Sequence, residues 1–175
     1  MKKIFIGLYT VIFIIVCFCI ASADDAKYVG VKKCKMCHAK KYKTWLETGL
    51  ATSFDSLKKG VKVEAKKAVG VEDKDYTADP ECLVCHTTGY GKGGFTSIEE
   101  TPDLAGVTCE ACHGPGGTFR KIMKKGREAL IAAGMIVPEE KVCLVCHAGD
   151  SPFVKEKTFN YEERKEKTHD HSTKK

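Results

Sequence analysis

Four short segments place two thiols and an imidazole at one fixed spacing: Cys34-Lys35-Met36-Cys37-His38, Cys82-Leu83-Val84-Cys85-His86, Cys109-Glu110-Ala111-Cys112-His113 and Cys143-Leu144-Val145-Cys146-His147. Two cysteines three positions apart can each form a thioether with the edge of one porphyrin. The imidazole of the next residue can then reach the iron. Cys-x-x-Cys-His is therefore the attachment signature of a c-type haem. Four copies in 175 residues make covalently bound haem c, four per chain, the dominant cofactor. Of the ten cysteines, eight lie in the motifs, and Cys17 and Cys19 fall in an apolar N-terminal stretch. Of the six histidines, only His169 and His171 lie outside the motifs.

Paired Cys-x-x-Cys segments also build structural zinc sites. A zinc site does not require histidine directly after every second cysteine, and here it follows all four times. The pattern favours haem.

The chemistry of each haem depends on the ligand opposite its proximal histidine (His38, His86, His113 or His147). A second histidine gives a low-potential six-coordinate iron, methionine raises the potential, and an open position lets small molecules bind. Only His169 and His171 are spare, and two residues apart on a helix they point in different directions. At most one is expected to ligate within its own subunit. Met123 lies on the apolar face of a predicted helix and is a second candidate, although methionine there more often fills gaps. Met135 and Met36 are weaker candidates. At least one haem should then be open or borrow a ligand from elsewhere.

The polypeptide that must position these groups is short, and small chains need staples. Eight thioethers would serve. The expected fold is mainly α and irregular: one small multihaem cytochrome c domain, with short helices and long loops wrapped around four haems and little strand. Tyr42, Trp45, Leu46, Leu50, Phe54 and Leu57 recur at helical spacing and predict a helix from about Ala39 to Leu57. Asp79-Pro80 breaks the chain before the second motif. Thr87 to Phe95 holds four glycines and reads as turns, and Gly114-Pro115-Gly116 marks another turn. Phe119, Ile122, Met123, Leu130 and Ala133 predict a second helical stripe, stopped near Gly134 and Pro138. A last helix is expected from Tyr161 to about His169. The motifs are unevenly spaced, so the chain is not a solenoid.

Residues 1–23 read as a secretory signal: Lys2 and Lys3, an apolar run from Ile4 to Ile20, and a small-x-small site at Ala21-Ser22-Ala23. The tetrahaem domain would then span residues 24–175. An uncleaved anchor is the alternative, but the apolar run is short for a membrane span, and no stable anchor is expected. A lipoprotein is disfavoured by Phe18 before Cys19. Export to the periplasm or beyond also suits thioether chemistry, which needs an extracytoplasmic compartment. The formal charge of +6 falls by two when Lys2 and Lys3 are removed, and haem propionates lower it further. The basic balance therefore does not imply nucleic acid, and no aromatic-basic recognition pattern supports it. The basic stretch from Arg164 to Lys175 reads as a solvated face or a docking segment.

The residues between and around the motifs resemble the tetrahaem cytochrome c-554 family. The resemblance is carried by Gly30-Val31-Lys32-Lys33, Trp45, Thr48, Ala51 and Leu57, and by Asp73-Lys74-Asp75-Tyr76-Thr77. It continues through Gly89, Gly91, Gly93 and Gly94, then Gly106-Val107, Cys109-Glu110 and Cys112-His113-Gly114-Pro115-Gly116. It runs from Gly30 to about Arg120 and resumes at the C-terminus. It implies an exported electron carrier of the kind that accepts electrons from hydroxylamine oxidoreductase. It also implies a ligand scheme with three distal histidines and a five-coordinate second haem. The family's C-terminal His-x-His looks like Thr168-His169-Asp170-His171, with His169 at the ligand position. The ligand position after the third motif falls at Met123, and the one after the tryptophan falls at Leu50, which cannot bind iron. By resemblance, one haem is bis-histidine through His169, one is His/Met through Met123, and two lack an intramolecular ligand.

The expected function is electron transfer between redox-protein partners through small, transient interfaces, with no catalytic residue. One alternative is a small nitrogen-oxide reductase at an open haem, most simply that of His86. Another is self-association into a haem wire, with His169 or His171 donated between subunits.

Overall fold

The computed structural model describes residues 27–148, 153–154 and 159–171. The expected signal segment, Cys17 and Cys19 lie outside the described residues. Eight short α-helices follow in chain order: α1 (Val31–Lys35), α2 (Ala39–Leu46), α3 (Val63–Ala68), α4 (Pro80–His86), α5 (Cys109–His113), α6 (Arg127–Ala132), α7 (Glu140–His147) and α8 (Tyr161–Lys165). Three 3₁₀ segments, Asp55–Leu57, Pro102–Leu104 and Phe119–Lys125, lie between them. The only β pairing among the described residues is an isolated antiparallel bridge between Thr87 and Ala105. No helix among them is long and apolar enough to cross a membrane. The architecture is mainly α and irregular, as expected.

The long helices drawn from periodicity break up. The first ends at Leu46 rather than Leu57. Just beyond it the Thr48 hydroxyl donates to Trp45 O at 2.7 Å, and Leu50 O is taken by the Val107 N–H at 3.0 Å. The apolar stripe is real but is carried on turns: Trp45, Phe54 and Leu57 are buried, while Leu46 is exposed. The second stripe splits at Gly126, whose φ of 87° lies in the left-handed region. The 3₁₀ segment before it and α6 after it are separate elements. The last helix closes at Lys165, short of His169. At the second motif Asp79-Pro80 does more than break the chain. The Asp79 carboxylate caps α4 by accepting the Glu81 N–H at 3.0 Å, and Pro80 takes the first helical position, where a missing N–H costs nothing.

One polypeptide core is built of Phe54, Leu57, Leu83, Phe95 and Leu104, with the Phe54 and Phe95 rings 5.3 Å apart and tilted by 52°. Trp45 is buried beside it and donates its indole N–H to Val107 O at 3.0 Å. Buried Thr88 ties the loop after the second motif to the approach of the third. Its hydroxyl donates to Gly106 O at 2.8 Å and accepts the Thr108 N–H at 2.8 Å. Gly106 has to be glycine here: φ is 92°, and a Cβ would stand 3.0 Å from Ala51 O. These long-range bonds hold segments 45–57, 83–88 and 104–108 as one frame for the motifs.

Candidate haem sites

Three motifs are helical in full, with the histidine as the last helical residue of α4, α5 and α7. The first is different. Helix α1 stops at Lys35, and His38 lies at the N-terminal boundary of α2. The turn still closes, because the His38 N–H donates to Cys34 O at 3.0 Å. In every motif the local winding brings both thiols and the imidazole to one side.

The motifs meet out of chain order. Helices α1 and α5 are in contact, with Cys34 beside Cys109, which joins the first motif to the third. Helices α4 and α7 are in contact, with Cys85 beside Cys146, which joins the second to the fourth. Cys112 lies within electrostatic range of Cys143 and Cys146, which joins the third to the fourth. The spatial sequence is first, third, fourth, second. Before haem is attached, the neighbouring Cys109 and then burial push the Cys34 thiol up, and burial, then Cys143 and Cys109, push Cys112 up to about 11. Once the thioethers form, none of these sulfurs titrates.

Two proximal histidines have their tautomer set by the backbone. His113 Nδ1 lies 3.2 Å from Ile136 O, while the Ile136 N–H donates back to His113 O at 2.9 Å. His86 Nδ1 lies 2.7 Å from Ser53 O and 3.1 Å from Ser56 Oγ. A carbonyl can only accept, so each Nδ1 carries the proton and each Nε2 keeps its lone pair for a metal. The His113 imidazole is held below its ordinary pKa by burial, against the Ile136 bond, which favours the neutral form that binds iron. His147 stacks on Phe159 at 5.0 Å, and His38 is exposed at the start of α2.

His169 faces His113, with ring centroids 6.1 Å apart. A first-row metal holds an imidazole nitrogen at about 2 Å, and the ring centre lies about 1 Å further, so two imidazoles across one metal have centroids about 6 Å apart. The spacing fits a shared iron. His169 Nδ1 lies 3.1 Å from Asp170 O, which again leaves Nε2 as the lone-pair nitrogen. Burial holds its pKa down. His171 stacks on His169 with ring centroids 4.2 Å apart, but its Nε2 lies 2.9 Å from Lys165 O, so the usual ligating nitrogen carries the proton and is engaged there. Met123 is half-buried within the 3₁₀ segment Phe119–Lys125. Leu50 is half-buried and contributes its carbonyl to the frame.

Sequence reasoning missed two supporting groups. Glu110, inside the third motif and 2% exposed, is a carboxylate clamp. It accepts the Val29 N–H at 3.0 and 3.1 Å, the Gly30 N–H at 2.8 Å and the Gly116 N–H at 2.6 Å. The clamp ties the chain entering the first motif to the loop leaving the third. Its sequence signal was an acid at a variable position of a haem motif, beside a glycine-rich turn that could offer free N–H groups. Arg120 is the second: its Nε is buried without a partner, and its charge acts on Cys34. An orphaned guanidinium N–H between the first and third motifs is suited to a haem propionate.

The residues thus fit haem. They do not fit the zinc alternative: among the described residues no three of His, Cys, Asp and Glu converge to hold a bare metal ion. A strand-poor helical chain that turns four Cys-x-x-Cys-His motifs toward one another is a multihaem c-type cytochrome. Comparison with known proteins narrows the class. Residues 33–114 match the family model described as cytochrome c554 and c-prime. Cytochrome c-554 of Nitrosomonas europaea is 40% identical over 139 residues, which span 71% of this chain and 59% of that protein. The multiheme cytochrome MtrA of Shewanella baltica is 33% identical over 81 residues, covering 39% of this chain and 23% of that one. The solved structure of reduced cytochrome c554 from Nitrosomonas europaea superposes with a TM-score of 0.75 at 35% identity, covering 84% of this chain and 86% of that one. The chain belongs to the cytochrome c-554 family, and its cofactors are four covalently bound c-type haems.

Proposed function

We propose that this chain is an exported electron carrier that relays electrons along its haems between two redox proteins. In this reading Cys34 and Cys37, Cys82 and Cys85, Cys109 and Cys112, and Cys143 and Cys146 form the thioethers. His38, His86, His113 and His147 are the proximal ligands, and His169 is the distal ligand on the iron of His113. Met123 is the remaining candidate for a sixth ligand. Residues 1–23 direct export and are removed, which leaves residues 24–175 in the periplasm or outside the cell.

The observation that supports this most is the contiguity of the motifs, from first through third and fourth to second. Haems attached at neighbouring thiols form a continuous path, with the first and second motifs at its ends. The ends are where donor and acceptor would dock. The protein's own contribution is to fix the order, set each potential through ligands and burial, and limit access.

The test is stopped-flow oxidation of the reduced holoprotein by a soluble cytochrome or an electrode. Fast loss of all reduced α-band absorbance is expected. Haems that reduce but fail to pass electrons on would overturn the reading. A second reading rests on ligand count. With six histidines in the whole chain, four of them proximal and the His171 Nε2 engaged at Lys165 O, most irons lack a histidine opposite. An open iron could bind and reduce nitric oxide, nitrite or hydroxylamine. Carbon monoxide added to the reduced protein decides: no spectral change excludes this second reading.

A further inference from the structure

We propose that Lys40, Lys41 and Thr44, on the helix that follows the first motif, are positioning residues for the sixth ligand of the third haem, acting through Asp170. The proposal rests on the reading that His113 and His169 share one iron.

Three contacts reach across more than a hundred residues to one residue, Asp170. Lys41 Nζ donates to Asp170 O at 2.8 Å. The Asp170 N–H donates to Thr44 Oγ1 at 2.9 Å, and the same hydroxyl donates to Lys41 O at 3.1 Å. Lys40 Nζ pairs with the Asp170 carboxylate at 2.6 Å, and that carboxylate side chain is 22% exposed. The carbonyl that Lys41 grips is also the one that faces His169 Nδ1. It therefore has two jobs: it fixes which ring nitrogen of His169 carries the proton, and it anchors the ring in space.

Upstream the segment is held at Tyr161, whose hydroxyl donates to Pro138 O at 2.8 Å, but that contact lies eight residues before His169. Helix α8 ends at Lys165, four residues before His169. The turn after it is closed locally by the Thr168 hydroxyl, which donates to Lys165 O at 2.8 Å. That bond shapes the turn but does not attach it to the body of the protein. Asp170 does. An imidazole at the end of a short helix and turn would otherwise spend much of its time away from the iron, and its effective concentration there would be low. Outer partners of metal-bound histidines are worth about 10–100-fold in metal affinity. His38 borders the same helix, α2. The coordination of the third haem thus depends on the segment that carries the first haem's histidine.

The test compares holoproteins carrying H169A, the double substitution K41M/T44V, and the conservative pair K41R/T44S. Haem count by mass is checked for each. Oxidised samples are read by electron paramagnetic resonance, and reduced samples by carbon monoxide binding. H169A should keep all its haems and convert one from low-spin to high-spin, with one more haem binding carbon monoxide than in the parent. K41M/T44V should show carbon monoxide entering that same haem about 10–100-fold faster or tighter than in the parent. Added imidazole should restore the low-spin signal in both. K41R/T44S, which keeps the donor and the hydroxyl, should behave like the parent. If H169A opens a haem but K41M/T44V matches the parent, the proposal is wrong while the ligand reading stands. If H169A changes no spin state, the ligand reading fails and the proposal falls with it.

Discussion

The second and fourth motifs have the same five residues, Cys-Leu-Val-Cys-His, and opposite surroundings. Leu83 is 3% exposed and packs among Phe54, Leu57, Phe95 and Leu104. Its counterpart Leu144 is 38% exposed, and α7 buries none of its residues. Asp79 caps the second motif's helix with a side-chain bond, whereas Glu139, in the same position before the fourth, makes none. His86 is held by Ser53 and Ser56, while His147 rests on the ring of Phe159. One pentapeptide therefore serves two purposes. Around the second motif it is part of a polypeptide core that exists on its own terms. Around the fourth it is an attachment point on a helix that the other described residues scarcely cover. The motif specifies a covalent reaction, and its structural weight comes from what packs on it.

That contrast can be broken by substitutions on the holoprotein, read as shifts in denaturant midpoint. The largest effect should fall at neither leucine but at the clamp between the first and third motifs. Glu110→Ala would strand the buried N–H groups of Gly30 and Gly116 and the half-buried one of Val29 at about 1–3 kcal/mol each, about 3–9 kcal/mol in all. A loss under about 1 kcal/mol would show that the clamp is not needed once haem is attached. Next, Leu83→Ala should cost about 3 kcal/mol by leaving a cavity, and Leu144→Ala less than about 1 kcal/mol. Equal losses would erase the difference between the two regions. The caps should follow the same split on a smaller scale. Asp79→Ala should cost about 1 kcal/mol, and Glu139→Ala should be close to neutral.

The smallest expected effect is a pH dependence on the second-motif side. Asp73 sits below its ordinary pKa because it accepts the Gly60 N–H and, second, because Lys66 Nζ lies 3.1 Å away. A depressed folded pKa stabilises above the unfolded value of about 4, and that gain disappears as pH falls through the lower folded value. Hydrogen exchange in residues 58–74 should therefore speed up below about pH 4 relative to the fourth-motif region. Asp73→Asn should remove that acid limb. If both regions loosen together, the loop is not an independent unit.

Periodicity read well where side chains meet polypeptide and poorly where backbone bonds compete. Tyr42, Trp45, Leu46, Leu50, Phe54 and Leu57 recur at helical spacing and predict one helix, and three of them, Trp45, Phe54 and Leu57, are buried. The helix nevertheless stops at Leu46, and beyond it the Leu50 carbonyl accepts from the Val107 N–H, more than fifty residues away. No local pattern carries that information. Gly126, with φ of 87°, breaks the second stripe although apolar residues continue on both sides of it. The turns at Thr87 to Phe95 and around Pro115 were legible because glycine and proline act locally. Glu110 could be seen but not weighed, since its three donors come from Val29, Gly30 and Gly116, which only the fold brings together.

By itself the sequence determined the cofactor and its number, and it offers one histidine per motif as the expected proximal ligand. Those follow from spacing within five residues, and chain stereochemistry carries such spacing into any fold. It also set an upper bound on histidine ligation, because a count of six cannot be exceeded. The tertiary structure decided the rest. It put the motifs in the order first, third, fourth, second. It turned His169 rather than His171 toward His113, and it supplied the strap from α2 that holds it there. Each of these rests on contacts between residues far apart in the chain. Their geometry is set by how the loops close, and neither composition nor spacing encodes that locally.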